Sequence, residues 1–128
     1  MRKAYPVVLS PSKVGYVATI PDIDRGTQGS SIAEAMEMAR DLLGMWATYE
    51  QDKGRVVPEP SATLPVAAPG EIVTLVDIDF DEYRREVDTT AERTNVSLPR
   101  NLKRKAEAAG LSFSQELQTR LREVLNIS

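Results

Sequence analysis

The residues whose spacing could do chemistry are few, and the first set is Asp77, Asp79 and Asp81 in the run Asp77-Ile78-Asp79-Phe80-Asp81. On an extended chain Asp77 and Asp79 share a face, and carboxylates so placed suit a hard divalent cation. An EF-hand loop is excluded, because Glu82 stands where glycine is needed and Asp88 where the closing Glu belongs. The run reads instead as a strand entering a helix that an aspartate caps. Asp22 and Asp24 offer a second carboxylate pair, but beside Pro21 and near Gly26 and Gly29 they fit turn chemistry. With His 0 and Cys 0 in 128 residues, imidazole and thiolate metal sites, cysteine nucleophiles, Ser-His-Asp arrangements and disulfides are all excluded. No catalytic residue, metal site or cofactor is assigned.

The other set is Arg93, Asn95 and Ser97. They alternate with Thr94, Val96 and Leu98, as the two faces of a half-buried strand do. An amide can pair bidentately with adenine and a guanidinium with guanine, so the 93/95/97 face could read bases in a DNA groove. The net charge of −3 conceals a gradient: residues 72–91 are net acidic, while residues 92–128 are net basic, with Arg100, Lys103, Arg104 and Lys105 grouped together. A basic module on an acidic chain suits a polyanion, and Arg100, Lys103 and Arg104 are candidate phosphate contacts.

These residues need a scaffold. Tyr5–Leu9 and Val14–Ile20 are β-rich runs around Ser10-Pro11-Ser12-Lys13 and predict a hairpin. Asp22–Ser30 is expected to be a loop whose glycines take positive φ. Ser31 with Glu34 is a capping-box pattern opening a helix that ends near Lys53-Gly54, with Trp46 and Met36, Met38 and Met45 on or beside its core stripe. Residues 55–71 hold Pro58, Pro60, Pro65 and Pro69 and predict a stiff connection. Ile72–Ile78 is nearly all apolar and predicts a buried strand rejoining the first sheet, followed by a short helix over Phe80–Val87.

Strand 93–98 is then followed by a helix after Pro99 with Leu102, Ala106 and Ala109 on one stripe. Gly110 stops it, and Ser112 with Gln115 caps a last helix that carries Phe113, Leu117, Leu121, Val124 and Leu125. A module over residues 92–128 is too small to hold a core without association. A second copy of the strand, paired antiparallel about a two-fold axis, would satisfy its backbone and present Arg93, Asn95 and Ser97 twice on one ribbon. Val96, Leu98, Leu102, Leu117 and Leu121 are the expected dimer core.

The segment from Arg93 to Leu125, with its alternating strand ending in Leu98-Pro99, its Gly110-Leu111-Ser112 turn and its capped second helix, resembles a ribbon-helix-helix DNA-binding domain. The resemblance gives Arg93, Asn95 and Ser97 the base-reading role. It also places Ser112 to Ser114 at a helix start that offers N–H groups to phosphate. The front of the chain is similar to the HicB antitoxin family in Tyr5-Pro6-Val7-Val8, Gly15-Tyr16-Val17, Pro21-Asp22, Thr27-Gln28-Gly29, the Ala-rich helix after Ser31, and Pro58-Glu59-Pro60-Ser61. It departs from that family in lacking Pro-Gly-Cys before Thr27.

The resemblance implies an α+β chain with a partial RNase H-like, HicB-like sheet-plus-helix domain over residues 1–91, including the connection 55–71. A ribbon-helix-helix dimerisation and DNA-binding domain follows over residues 92–128. It also implies an antitoxin, not an enzyme, that blocks a HicA-like mRNA-cleaving toxin and represses its own operon by binding operator DNA as a homodimer, with further assembly left open. Asp22, Asp24, Asp77 and Asp79 are the acidic candidates for the toxin's basic surface. The alternatives are a stand-alone ribbon-helix-helix regulator and a Mg²⁺-dependent nuclease. No signal-peptide core or membrane-length run occurs, so a cytoplasmic chain with no membrane partner is expected.

Overall fold

Strand β1 (Arg2–Ser12) turns through Lys13 and Val14 into β2 (Gly15–Ile20), with Ser12 opposite Gly15. The structure, a computed structural model, describes all residues 1–128. It divides into two compact units, Met1–Thr89 and Thr90–Ser128. In the first unit β1 runs further than the sequence suggests, and the turn is a two-residue hairpin rather than the four-residue one expected over 10–13. Gly15 is required there: its φ is +143°, and a Cβ would lie 2.2 Å from the Gly29 carbonyl oxygen.

The expected loop over 22–30 is mostly ordered. A 3-10 turn, Pro21–Ile23, leads to Asp24 at φ +51°, and β3 (Arg25–Gly29) pairs antiparallel with β2. Polar and glycine residues hide this edge strand from a pattern reading. Neither Gly26 nor Gly29 has positive φ. Gly29 is needed for closeness, since a Cβ there would meet the Ala35 backbone nitrogen at 2.4 Å.

Helix α1 (Ile32–Asp52) starts where Ser31 Oγ accepts the Glu34 N–H at 3.1 Å, and Gly54 at φ +75° follows its last turn. Its buried stripe of Ala35, Ala39, Leu43 and Ala47 is small enough to lie close on the sheet. There it covers Tyr5, Val7, Leu9, Ala18, Ile20, Val76 and Ile78. Met36 and Trp46 pack against this core, but Met38 and Met45 are exposed, contrary to the core reading.

Residues 55–71 have no helix or strand, yet they are pinned to the unit. The Tyr5 hydroxyl donates to the Pro58 carbonyl at 2.8 Å, Lys3 pairs with Glu59 at 2.6 Å, and Ser10 donates to Glu71 at 2.7 Å. Strand β4 (Ile72–Asp79) then pairs antiparallel with β1, giving the order β3-β2-β1-β4. It joins the sheet as expected but at an edge, and only Val76 and Ile78 are buried; Ile72 and Leu75 stay exposed. Helix α2 (Phe80–Val87) follows at once, capped by Asp79, and its Tyr83 ring lies over Gly44 of α1.

The second unit contains α3 (Arg100–Ala108) and α4 (Phe113–Leu125), joined through Gly110 at φ +72°. The Ser112 side chain accepts the Gln115 N–H at 3.3 Å. The expected strand over 93–98 is not formed: those residues carry no regular secondary structure. A strand exists only against a partner strand, and this unit supplies none within one chain.

Candidate functional site

The second unit has no buried residue, and Ala106 is its one residue of intermediate exposure. Val96, Leu98, Leu102, Leu117 and Leu121 are each between 40% and 59% exposed. Its apolar side chains nevertheless converge. Thr94, Val96 and Leu98 line a groove of about 670 Å³ together with Phe113, Leu117 and Leu121 of α4. Arg93, Asn95 and Ser97 do not line it. The alternation read from the sequence is therefore expressed in space even where the strand is not.

Helix α3 carries Arg100, Lys103 and Arg104 exposed, and none of them forms an ion pair, nor does Arg93. At the start of α4 the Ser112 hydroxyl is engaged as the cap, and Ser114 Oγ accepts from Gln118 Nε2 at 3.0 Å. The Gln115 N–H is taken by that cap, while the Phe113 and Ser114 N–H groups have no helical acceptor, which leaves those two free to meet an anion.

In the first unit the four candidate aspartates, Asp22, Asp24, Asp77 and Asp79, have different surroundings. Asp22 accepts the Ser61 N–H at 2.9 Å and the Ser61 hydroxyl, so it fastens the proline-rich connection. Asp24 sits exposed on its left-handed turn. Asp77 receives Arg2 at 3.0 Å and Arg40 at 3.4 Å, and Asp79 accepts the N–H groups of Asp81 and Glu82 at 3.1 and 3.2 Å. The Arg2 hydrogen bond holds the Asp77 carboxyl below the usual carboxylate range, and the Glu82 N–H does the same for Asp79. Both are thus ionised and already bonded within the unit. No group of three or more His, Cys, Asp or Glu is placed to hold a metal ion.

Two surfaces were not legible from the sequence. A shallow groove of about 460 Å³ runs along β3, with Val14, Thr27, Gln28 and Met38 in its lining, where a loop was expected. The other is the exposed edge of β4. The nearly continuous apolar run of Ile72–Ile78 reports a strand but not which of its sides has a neighbour.

A family model describing a HicB-like antitoxin of bacterial toxin-antitoxin systems matches residues 5–120, which takes in most of both units. The chain belongs to the HicB-like antitoxin family. It is 39% identical over 59 residues to Antitoxin HicB of Escherichia coli K12, and equally so to that of strain O157:H7. Each match covers 44% of this chain and 43% of the relative, so it spans under half the length of those curated proteins. Among solved structures, the chain resembles one from a toxin-antitoxin complex of Streptococcus pneumoniae, with TM-score 0.57, 20% identity, and 96% and 99% of the two chains covered. It also resembles the Burkholderia pseudomallei antitoxin HicB, with TM-score 0.53, 25% identity and 97% of each chain covered. The α+β fold of HicB-like antitoxins thus extends over nearly the whole chain. No helix is long and apolar enough to cross a membrane.

Proposed function

We propose that the chain is an antitoxin that inhibits a HicA-like mRNA-cleaving toxin through its first unit and represses its operon by binding operator DNA through its second, without catalysis of its own. The observation that carries the second half is the coreless terminal unit. A set of exposed apolar side chains already gathered into one groove is half of a core, and a second copy supplies the other half. Pairing residues 93–98 of two copies buries Val96 and Leu98 over Leu117 and Leu121 and completes a ribbon-helix-helix dimer. The polar face of the ribbon then enters the major groove, with Arg93, Asn95 and Ser97 toward bases. Arg100, Lys103, Arg104 and the α4 start around Ser112 and Ser114 meet phosphates on either side.

For the toxin, membership of the family supports the inhibitory role, and the acidic first unit suits a basic RNA-binding partner. Of the four acidic candidates Asp24 is the most available. Asp77 would act together with Arg2 and Arg40, Asp79 as the cap of α2, and Asp22 through the connection it fastens.

The test of the DNA half is titration of a duplex from upstream of the operon and of a scrambled duplex at several salt concentrations. Losing one bidentate base contact costs roughly 1–3 kcal/mol on the specific site alone. Asn95→Ala, which removes that contact from both copies of the ribbon, should therefore weaken specific binding by about 30-fold or more and leave nonspecific binding unchanged. Lys103→Ala should weaken both and lower the salt slope by about 1. Equal losses on both duplexes for Asn95→Ala would remove the 93/95/97 face from base reading.

A further inference from the structure

We propose that the basic partner docks on the flank of α1 that lies beside β3, seating an apolar side chain among Val14, Thr27, Gln28 and Met38 and setting cationic groups against Glu34, Glu37 and Asp41. The proposal rests on the antitoxin reading above and states where on the first unit the toxin sits.

Helix α1 is covered on two sides. Ala35, Ala39, Leu43 and Ala47 lie on the sheet. Gly44 receives the Tyr83 ring, and Tyr83 and Arg84 reach Asp41, Thr48 and Asp52, so α2 takes one flank. The other flank carries Met38, Met45 and Tyr49, which fall within about 40° of one another around a helix of 3.6 residues per turn. No element covers it: the three side chains are 40%, 56% and 55% exposed. Large apolar side chains aligned on one stripe form a patch rather than a scatter, and methionine adapts its shape to what it meets.

At its N-terminal end this flank opens into the groove of about 460 Å³ along β3. Met38 lines it from α1, Thr27 and Gln28 from β3, and Val14 from the hairpin turn, itself 79% exposed. Glu34 is the one charged residue in the lining.

The charges select the occupant. Glu34, Glu37 and Asp41 stand four residues before, one before and three after Met38, all within about a turn of it. Bonds from the Ser30 N–H and hydroxyl hold the Glu34 carboxyl below its ordinary range, so it is ionised at neutrality. Arg40 reaches Glu37 at 3.6 Å, but its guanidinium is bonded at 2.9 and 3.4 Å to Asp77 on β4. At the far end Lys53 and Arg55 lie over the Tyr49 ring at 5.7 and 5.6 Å, and their charge turns a cationic partner away from that end. The site is therefore the Met38 end. A second copy would bring its own carboxylates to these, and a nucleic acid its phosphates. A basic protein surface with an apolar side chain at its centre is complementary.

The experiment titrates the full chain with the purified small basic protein sought beside it as the proposed toxin, by isothermal titration calorimetry. Met38→Lys should weaken binding by about 100-fold or more, because like charges then meet. Met38→Glu loses the same apolar contact but adds a complementary charge, and should weaken it by about 10-fold or less. Equal affinities for wild type and Met38→Lys would overturn the docking site and leave the antitoxin reading standing. A wild type that does not bind removes that reading, and the site with it. Losses as large for Met38→Glu as for Met38→Lys would overturn the basic occupant. A fall in mass by light scattering on Met38→Lys, with no toxin present, would assign the flank to a second copy and overturn the proposal. Circular dichroism checks the fold; should the position 38 variants fail to fold, Met45→Lys and Met45→Glu take their place under the same criteria.

Discussion

Gly44→Ala should reveal by its sign whether α2 packs on α1 as described. The substitution has two opposed effects. An alanine in a helix interior is better than glycine by about 1 kcal/mol. Against that, a Cβ at position 44 would lie 2.5, 2.6 and 2.7 Å from Cδ2, Cε2 and Cγ of Tyr83. The ring cannot simply swing away, because its hydroxyl donates to Asp41 at 3.3 Å and α2 is anchored by Arg84 to Asp52 at 3.1 Å. Overpacking of this kind costs about 1–3 kcal/mol, so the net effect is a loss of about 1 kcal/mol. In a Tyr83→Ala background the obstruction is gone, and the same substitution should stabilise by up to about 1 kcal/mol. Urea unfolding followed by Trp46 fluorescence reads this unit specifically, since Trp46 is the sole tryptophan. Protein concentration must be held constant, because association shifts apparent stability. If Gly44→Ala stabilises equally in both backgrounds, α2 does not rest on Gly44.

Tyr5 is fully buried, and burial, with Glu59 and Asp22 near, pushes its hydroxyl up to about 12. The folded state thus favours the neutral phenol: its contribution is complete below about pH 10 and is lost as pH rises toward 12. Tyr5→Phe should cost about 1 kcal/mol near neutrality by deleting the bond to Pro58. It should also flatten the fall in stability between pH 10 and 12, and an undiminished alkaline fall would place its origin elsewhere. Gly29→Ala should cost about 3 kcal/mol, because backbone of Ala35 and Glu34 surrounds the added Cβ on a side that cannot yield. Gly26→Ala, whose nearest neighbour would be at 3.2 Å, should cost clearly less, and equal unfolding midpoints for the two would refute the close approach of β3 to α1.

Much of this fold was legible because local signals agreed with tertiary ones. Ser31 and Ser112 cap the helices they were expected to cap, Gly54 and Gly110 take the positive φ expected of helix stops, and β4 joins β1. The failures have identifiable causes. Strand β3 is polar and glycine-containing, so its signal is its partner β2 rather than its own sequence. Met38 and Met45 lie beside the apolar stripe of α1, where one residue of rotation separates core from surface. Residues 93–98 were expected to form a strand against a second copy, and within one chain they have no partner strand to pair with. For the aspartates, composition gave the charge but not the partners: Arg2, Arg40 and Ser61 come from distant parts of the chain.

The proposed function is a division of labour, with inhibition in the first unit and DNA binding in the second. Co-expression of residues 1–91 with the proposed toxin, to be sought as a small basic protein encoded beside this one, tests it most directly. The fragment is expected to restore growth as the full chain does, while failing to shift a duplex from upstream of the operon. A fragment that is folded by Trp46 fluorescence and circular dichroism, yet leaves growth arrested, would contradict it.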